Sequence, residues 1–373
     1  MDRNNQGAKT KALHFRGVLQ TLMFFCLFLY LFRIVNTTLM GWPGDPNVML
    51  HQIETPGTVD IAFMGSSHAN RGIFPMELYQ EYGFTAINQG QGGATIGQTY
   101  YLMREVIQWQ KPKLIVLELY YSFFSSKVSS LGSAHRTINY LPWPAKAESV
   151  AALIPREHWA EFLMPITLYH NRWSELTQED FSPAPVPSLT KGARIIFPKE
   201  FNGESAEYHS LDATEKKAPS TIVMEYLEHI INLCRETDTE LLLLVVPYIA
   251  WGNERDMVAD DMADDQRRFH WMRDYAAQQG VPFLNMLDYL DEMQFEMQND
   301  MAEWSHMNYF GGKKATMFLG AYLQEHYGQL LQDRRDQAGF DSWESQVDAY
   351  NTYVNDEIHK RGLSMPSDDT EPL

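Results

Sequence analysis

The chain reads as an α/β protein built on a doubly wound, mainly parallel five-stranded sheet flanked by helices. Three observations predict this class. Short apolar runs alternate with helical periods along most of the 373 residues. The runs are nearly continuous in apolar residues, as suits strands covered on both faces. Regular strand–helix alternation is, in turn, the pattern of a parallel doubly wound sheet.

The first element lies outside the sheet. Arg3, Lys9, Lys11 and Arg16 precede "VLQTLMFFCLFLYLF", which is apolar from Val18 to Phe32 except at Gln20 and Thr21. A membrane span needs about 20 residues. The run reaches that length past Arg33 through "IVNTTLM", with the arginine snorkelling to the interface. No A-x-A cleavage signal follows, and Cys26 lacks the small-residue setting of a lipoprotein site. The sequence therefore predicts an uncleaved signal-anchor rather than a buried core helix. Basic residues before the span and few after it place the N-terminus in the cytoplasm and the rest outside.

After a turn-rich linker at 41–47, five runs read as strands: "VDIAFMG" (59–65), "FTAINQG" (84–90), "KLIVLELYY" (113–121), "ELLLLVVPY" (240–248) and "VPFLNML" (281–287). Helical periods fall at 76–82, 95–110, 221–236 and 264–279, and a last sheet-covering helix runs from about 311 to 331. Between 122 and 220 the alternation stops. Prolines are scattered through this stretch without a steady period, which marks a large insertion, and long inserts in compact domains usually serve as lids or binding loops. Trp343, Val347, Tyr350, Val354 and Ile358 then recur at spacings of three and four, the mark of one amphipathic helix. The final "MPSDDTEPL" reads as a solvated tail. The expected organisation is a cytoplasmic N-terminus and signal-anchor over 1–41, an extracytoplasmic domain over 42–331 with the insertion at 122–220, and an amphipathic helix with a flexible tail over 332–373.

A formal net charge of -18 argues against nucleic acid, whose binders carry a basic footprint. Two cysteines, one in the span and one on a helix, supply neither a disulfide framework nor a zinc site. Carboxylates and histidines show no metal-ligand spacing, so a metal-dependent enzyme is the weakest reading and no cofactor is called for.

Chemistry concentrates at strand ends, where open α/β sheets bind ligands. Ser66, Ser67 and His68 end the first strand. A serine after a glycine at a strand end is a common helix cap, so the serines admit a structural reading as well as a catalytic one. Asn88, Gly90 and Gly93 follow the second strand in "NQGQGG". The last loop, "DMAEWSHMNYFGG", holds Asp300, Glu303, Ser305, His306 and Asn308. A serine, glycine-freed amides and a histidine three residues after a carboxylate are what acyl transfer needs: a nucleophile, an oxyanion site and an oriented base.

These blocks resemble the SGNH/GDSL hydrolase superfamily, in the branch that includes DltD-type and alginate-O-acetylation-type envelope proteins. The likeness spans roughly residues 58–330. In that family the last serine of the first block is the nucleophile, which points to Ser67 with Ser66 as a turn residue. The second block supplies an oxyanion glycine, with Gly90 the nearest match and Gly93 the other. The fifth block is Asp-x-x-His, matched by Glu303-Trp-Ser-His306 with glutamate in place of aspartate. The resemblance thus implies catalysis by Ser67, His306 and Glu303, with Asp300 as the other orienter or a bare Ser–His dyad. The third block, Gly-x-Asn-Asp, is missing; Asn88, Asn308 or a backbone amide is left to supply its oxyanion donor. His68, beside the nucleophile, is poorly placed for a base and reads as structural.

"LYHNRWSEL" (168–176) and "TKGARI" (190–195) in the insertion resemble a signature of the same branch. His170, Arg172 and Lys191, with Asn308, are then candidate contacts to an acceptor. The alternative is that Tyr169, Trp173 and Leu176 pack while Arg172 snorkels beside them. The aromatic run at 120–124 either lines an acyl pocket or belongs to the core. The resemblance implies a membrane-anchored serine acyltransferase or esterase acting on acetyl or D-alanyl esters of a cell-envelope polysaccharide or teichoic-acid-like acceptor, with a membrane-bound O-acyltransferase as partner. A non-catalytic glycan-binding or envelope-assembly protein that keeps the fold is the other reading, supported by the missing third block.

Overall fold

The computed structural model describes residues 2–41, 46–120, 126–181, 188–198, 212–248, 255–303 and 305–363. Most of the 41–47 linker, positions 121–124 of the aromatic run and the 365–373 tail lie outside the described residues.

All five expected strands form: β1 (Ile61–Met64), β2 (Ala86–Asn88), β3 (Leu114–Glu118), β4 (Glu240–Val245) and β5 (Phe283–Asn285). They make one sheet in the order β2-β1-β3-β4-β5, with every neighbouring pair parallel. Each ladder is shorter than its apolar run because the runs include buried residues beyond the strand ends, among them Val59, Val246 and Tyr248. The chain leaves β1 toward β2 on one side and returns to β3 on the other. The carboxyl ends of β1 and β3 thus flank a topological switch point, where a crevice opens in sheets of this type.

Helices cover the sheet where the periods place them. Thr95 and Gln98 form a capping box at the start of Ile96–Gln110, and Ser220 caps Thr221–Glu236. Tyr309–Tyr327 begins at Asn308, whose side chain accepts from the Phe310 and Gly311 amides. The helix expected from 264 starts earlier, at Arg255. A short antiparallel pair, β6 (Met301–Glu303) and β7 (His306–Met307), was not expected; strands of two and three residues are too short to show a period.

The described residues divide into two units, Met1–Trp42 with Pro155–Ala184, and Pro43–Ile154 with Pro185–Leu373. The 122–220 insertion is therefore not one body. Its first part forms the helices Leu131–Ile138 and Ala145–Leu153, both in the sheet-bearing unit. Its middle forms short turns of helix, Trp159–Leu163, Ile166–Tyr169 and Gln178–Phe181, in the unit of the N-terminal helix. Prolines at 142, 144, 155 and 165 keep these helices too short to show a sustained period. The C-terminal helix Asp341–Lys360 buries Trp343, Tyr350, Val354 and Ile358, so it is part of the sheet-bearing unit's core and not an appendage. In the other unit the helix Asp2–Met40 contains a stretch, His14–Met40, long and apolar enough to cross a membrane, with mean hydropathy 2.1 over an 18-residue window within it.

Candidate active site

The site begins where β1 ends. Gly65 has φ +137°, and a Cβ there would stand 2.8 Å from the Glu118 carbonyl oxygen, so the sharp turn off the strand requires glycine. The two serines then divide the structural and catalytic readings between them. Ser66 is the cap: its Oγ accepts from the His68 amide at 3.1 Å. Ser67 is the first residue of the helix Ser67–Gly72, where a backbone N–H has no acceptor inside the helix.

Ser67 Oγ lies 2.8 Å from His306 Nε2, although 239 residues separate them in the chain. The β6–β7 turn presents the histidine, and Glu303 Oε1 lies 2.5 Å from its Nδ1. Ser67 and His306 are 6% and 8% exposed, so the pair is nearly dry but still reachable, whereas the Glu303 side chain is 55% exposed. The structure therefore brings together all three residues expected to act as nucleophile, base and orienter.

Two further groups approach His306 Nδ1: Ser305 Oγ and Arg71 Nη1, each at 2.9 Å. A guanidinium only donates. It cannot pair with a protonated Nδ1, while the carboxylate can, and the carboxylate is the closest of the three. These contacts assign the Nδ1 proton to the bond with Glu303 and leave the Nε2 lone pair facing the Ser67 hydroxyl. Arg71 also reaches Glu303 Oε1 at 3.3 Å, which makes it a counter-ion to the Glu303 carboxylate. Burial, and then the Arg71 charge, push the His306 pKa down to about 4 against the opposing pull of Glu303. The imidazole is a free base throughout the neutral range.

One expected outcome follows for pH. Arg71→Gln removes a charge that disfavours the imidazolium, so the His306 pKa rises toward 6.5, its ordinary value. The acid limb of kcat/KM, which reports the free enzyme's base, should move up by about one unit. At pH 5 the variant then falls about two-fold relative to wild type, while the two differ little at pH 8. An unmoved limb would show that Arg71 does not act on the base.

Under the Gly65–Ser67 turn lies Glu118, the last residue of β3 and 2% exposed. Its carboxylate accepts from the Ser66 hydroxyl at 2.8 Å, the Ser66 amide at 3.2 Å and the Tyr120 amide at 2.5 Å. Burial pushes its pKa up to about 7 in spite of these bonds. It ties the end of β3 to the end of β1 across the switch point and fixes the turn that presents Ser67. His68 is buried against the Tyr120 ring, centroids 3.7 Å apart, and stacks beside His306 at 4.9 Å. Burial, then the neighbouring His306 and Arg71, hold its pKa well below the usual range. A neutral His68 is a wall of the site and adds no second positive charge.

The remaining candidates occupy other roles. Gly90 packs on the turn that carries Ser66 and Ser67, where a Cβ would stand 2.5 Å from the Ser66 carbonyl oxygen. Its N–H is given to Asn88 Oδ1 at 3.1 Å, so it is not aimed outward. Asn88 Nδ2 donates to the Ala69 and Ile73 carbonyls and so braces the helix Ser67–Gly72. Gly93, with φ +72°, sits against Ser129 and Ser133. Asn308 caps the following helix and braces the loop through the Asn299 and Met301 carbonyls. Asp300 is buried on Lys314 and the Glu296 amide, which leaves Glu303 at the imidazole.

The expectation that Lys191 meets an acceptor does not fit its burial. It is 0% exposed, with Nζ 2.9 Å from both oxygens of Glu54 and 4.0 Å from the centre of the Trp343 ring. Arg172 belongs to the other unit, where it hydrogen-bonds the Thr38 and Leu39 carbonyls and Asp180 instead of snorkelling. His170, also there, is exposed and lies 3.3 Å from the Thr167 carbonyl oxygen. Trp173 is 72% exposed and does not pack.

Arg71 and Glu118 are the residues that sequence reasoning missed. Each left a signal: Arg71 stands four residues after Ser67, one helical turn away on the same face, and Glu118 is a lone carboxylate ending an otherwise apolar strand. Among the described residues no group of three or more His, Cys, Asp or Glu is placed to hold a metal ion.

No family model matches the chain. No curated protein matches it either. Among solved structures, one similar chain is a crystal structure from Bacteroides fragilis described as a "putative acylhydrolase", 11% identical, covering 76% of this chain and 94% of its own. At a TM-score of 0.38 that likeness carries no weight for the chemistry, which rests on the topology and side-chain geometry above.

Proposed function

We propose that this is a membrane-anchored serine acyltransferase or esterase of the SGNH kind, acting on O-acyl groups of a cell-envelope polysaccharide outside the cytoplasm. The observation that carries the reading is the relay Ser67 Oγ–His306 Nε2 at 2.8 Å with Glu303 at Nδ1, assembled at the switch point of a parallel sheet. His306 Nε2 takes the Ser67 proton as Oγ bonds to the acyl carbonyl carbon. The Ser67 N–H, at the start of its helix, holds the oxyanion. As the intermediate collapses, the ester C–O bond breaks and the leaving oxygen takes the proton from Nε2. Water or a sugar hydroxyl then gives its proton to Nε2, attacks the acyl-enzyme and frees Ser67. The N-terminal helix keeps this chemistry at the membrane, within reach of a membrane-bound O-acyltransferase that would supply acyl groups.

Incubation of the purified chain with p-nitrophenyl acetate, with and without a de-O-acylated envelope oligosaccharide, tests this. Nitrophenolate release is expected, with the acetyl group recovered as acetate (esterase) or on the oligosaccharide (transferase). Absence of release in both conditions contradicts the proposal.

One observation favours a second reading, a non-catalytic glycan receptor on the same fold: the Gly90 amide is engaged by Asn88, which leaves a sparse oxyanion site. Polysaccharide binding that survives Ser67→Ala, with no acyl release from wild type, would select it.

A further inference from the structure

The unit that contains the N-terminal helix holds it at one height. The Ile166 amide donates to Asn36 Oδ1 at 2.8 Å. The Arg172 guanidinium donates to the Leu39 carbonyl at 2.9 Å, to that of Thr38 at 3.3 Å, and to Asp180. A helix rises 1.5 Å per residue, so the roughly 30 Å hydrocarbon core of a bilayer takes about 20 residues. Counted from Val18, the first apolar residue after Arg16, that length ends next to Asn36, Thr38 and Leu39. The ties therefore sit where the helix passes from hydrocarbon to headgroups.

Large apolar side chains close to these ties in sequence are exposed. Trp173 is 72% exposed, Phe181 64%, Leu168 45% and Met164 41%. Each is one or two residues from a tie: Met164 and Leu168 flank Ile166, Trp173 follows Arg172, and Phe181 follows Asp180. Several large exposed apolar side chains on one short segment are unfavourable in water. At headgroup depth the same side chains gain, because aromatic residues favour the membrane–water interface.

We propose that residues 155–184 form an interfacial collar, with Trp173, Phe181, Leu168 and Met164 inserted into the headgroup–acyl boundary of the leaflet from which the helix emerges. The lipid surface is the occupant because these exposed apolar side chains sit on segments that pack against the end of the span, whose own apolar side chains up to Val35 are exposed as well. The proposal rests on the reading of His14–Met40 as a membrane anchor. It adds a second, monotopic contact that fixes the rotation and depth of the helix end, which a single flexible anchor cannot do.

The test uses the full chain in lipid nanodiscs with Cys26→Ser and Cys234→Ala, and one nitroxide at a time on Phe24→Cys, Trp173→Cys, Phe181→Cys or Glu175→Cys. Collision with oxygen, which concentrates in lipid, is compared with collision with a water-soluble nickel chelate. Positions 24, 173 and 181 are expected to show an oxygen-to-nickel ratio several-fold above that at exposed Glu175. Oxygen preference at 24 with nickel preference at 173 and 181 overturns the collar and leaves the anchor standing. Nickel preference at 24 overturns both. Closure of 173 and 181 to both reagents shows a second copy of the chain covering the cluster, which also overturns the lipid assignment.

Discussion

Ser67→Ala should abolish ester hydrolysis, lowering kcat by at least 10³-fold, and His306→Ala should do nearly the same. The two residues act on one proton. Removing the hydroxyl deletes the atom that bonds to the acyl carbon; removing the imidazole leaves a hydroxyl with no acceptor 2.8 Å away. Their effects therefore do not add, and the double variant should be no worse than the weaker single one. Glu303→Gln should cost less, about 10- to 100-fold. The Glu303 carboxylate is half in water, and Ser305 Oγ, 2.9 Å from Nδ1, can take over part of its orienting role. Steady-state kinetics on an aryl ester, with circular dichroism to confirm folding, checks all four variants. A Ser67→Ala variant that keeps a tenth of the activity would exclude Ser67 as the nucleophile.

The largest effect on stability is expected at the buried Lys191–Glu54 pair. Glu54→Ala should destabilise the sheet-bearing unit by about 3–5 kcal/mol, because it leaves an ammonium without its counter-ion inside the core. Lys191 has no exposed surface to retreat to, and the Trp343 ring centre lies 4.0 Å from its Nζ. Burial already pulls the Lys191 pKa down, with Glu54 opposing. Without Glu54 the folded-state pKa falls further. Keeping the lysine neutral then costs less as pH rises toward its unfolded value, so the deficit should shrink between pH 7 and pH 9. The paired replacement Glu54→Gln with Lys191→Met removes the charge and should restore more than half of the loss. Thermal unfolding of the three proteins at the two pH values decides the matter. A mild, pH-independent effect of Glu54→Ala would mean that the pair is not buried in solution.

The same pair shows what the sequence could and could not convey. The sheet was legible because buried parallel strands leave unbroken apolar runs such as "KLIVLELYY". A serine, an imidazole and a carboxylate were legible as the residue types that acyl transfer needs, and the resemblance to the SGNH blocks is what singled out Ser67, His306 and Glu303. Lys191 was not, because nothing local tells a buried lysine from an exposed one: its partner is 137 residues away. Glu118 and Arg71 were missed for the same reason, since their contacts with Ser66 and Glu303 span 52 and 232 residues. Gly90 was placed in the right loop, yet its amide direction depends on Asn88 Oδ1, a contact that residue type alone does not specify. The 122–220 insertion was recognised as irregular, but its division between two units depends on Asn36, Thr38 and Leu39 binding Ile166 and Arg172.

The most direct test of a Ser67 nucleophile activated by His306 is covalent labelling of the full-length chain with a fluorophosphonate, followed by mass-spectrometric mapping of the adduct. A single adduct on Ser67, absent from Ser67→Ala and at least 100-fold slower in His306→Ala, is the predicted result. An adduct on Ser66 or Ser305, or labelling that is unchanged when either Ser67 or His306 is replaced, would contradict it.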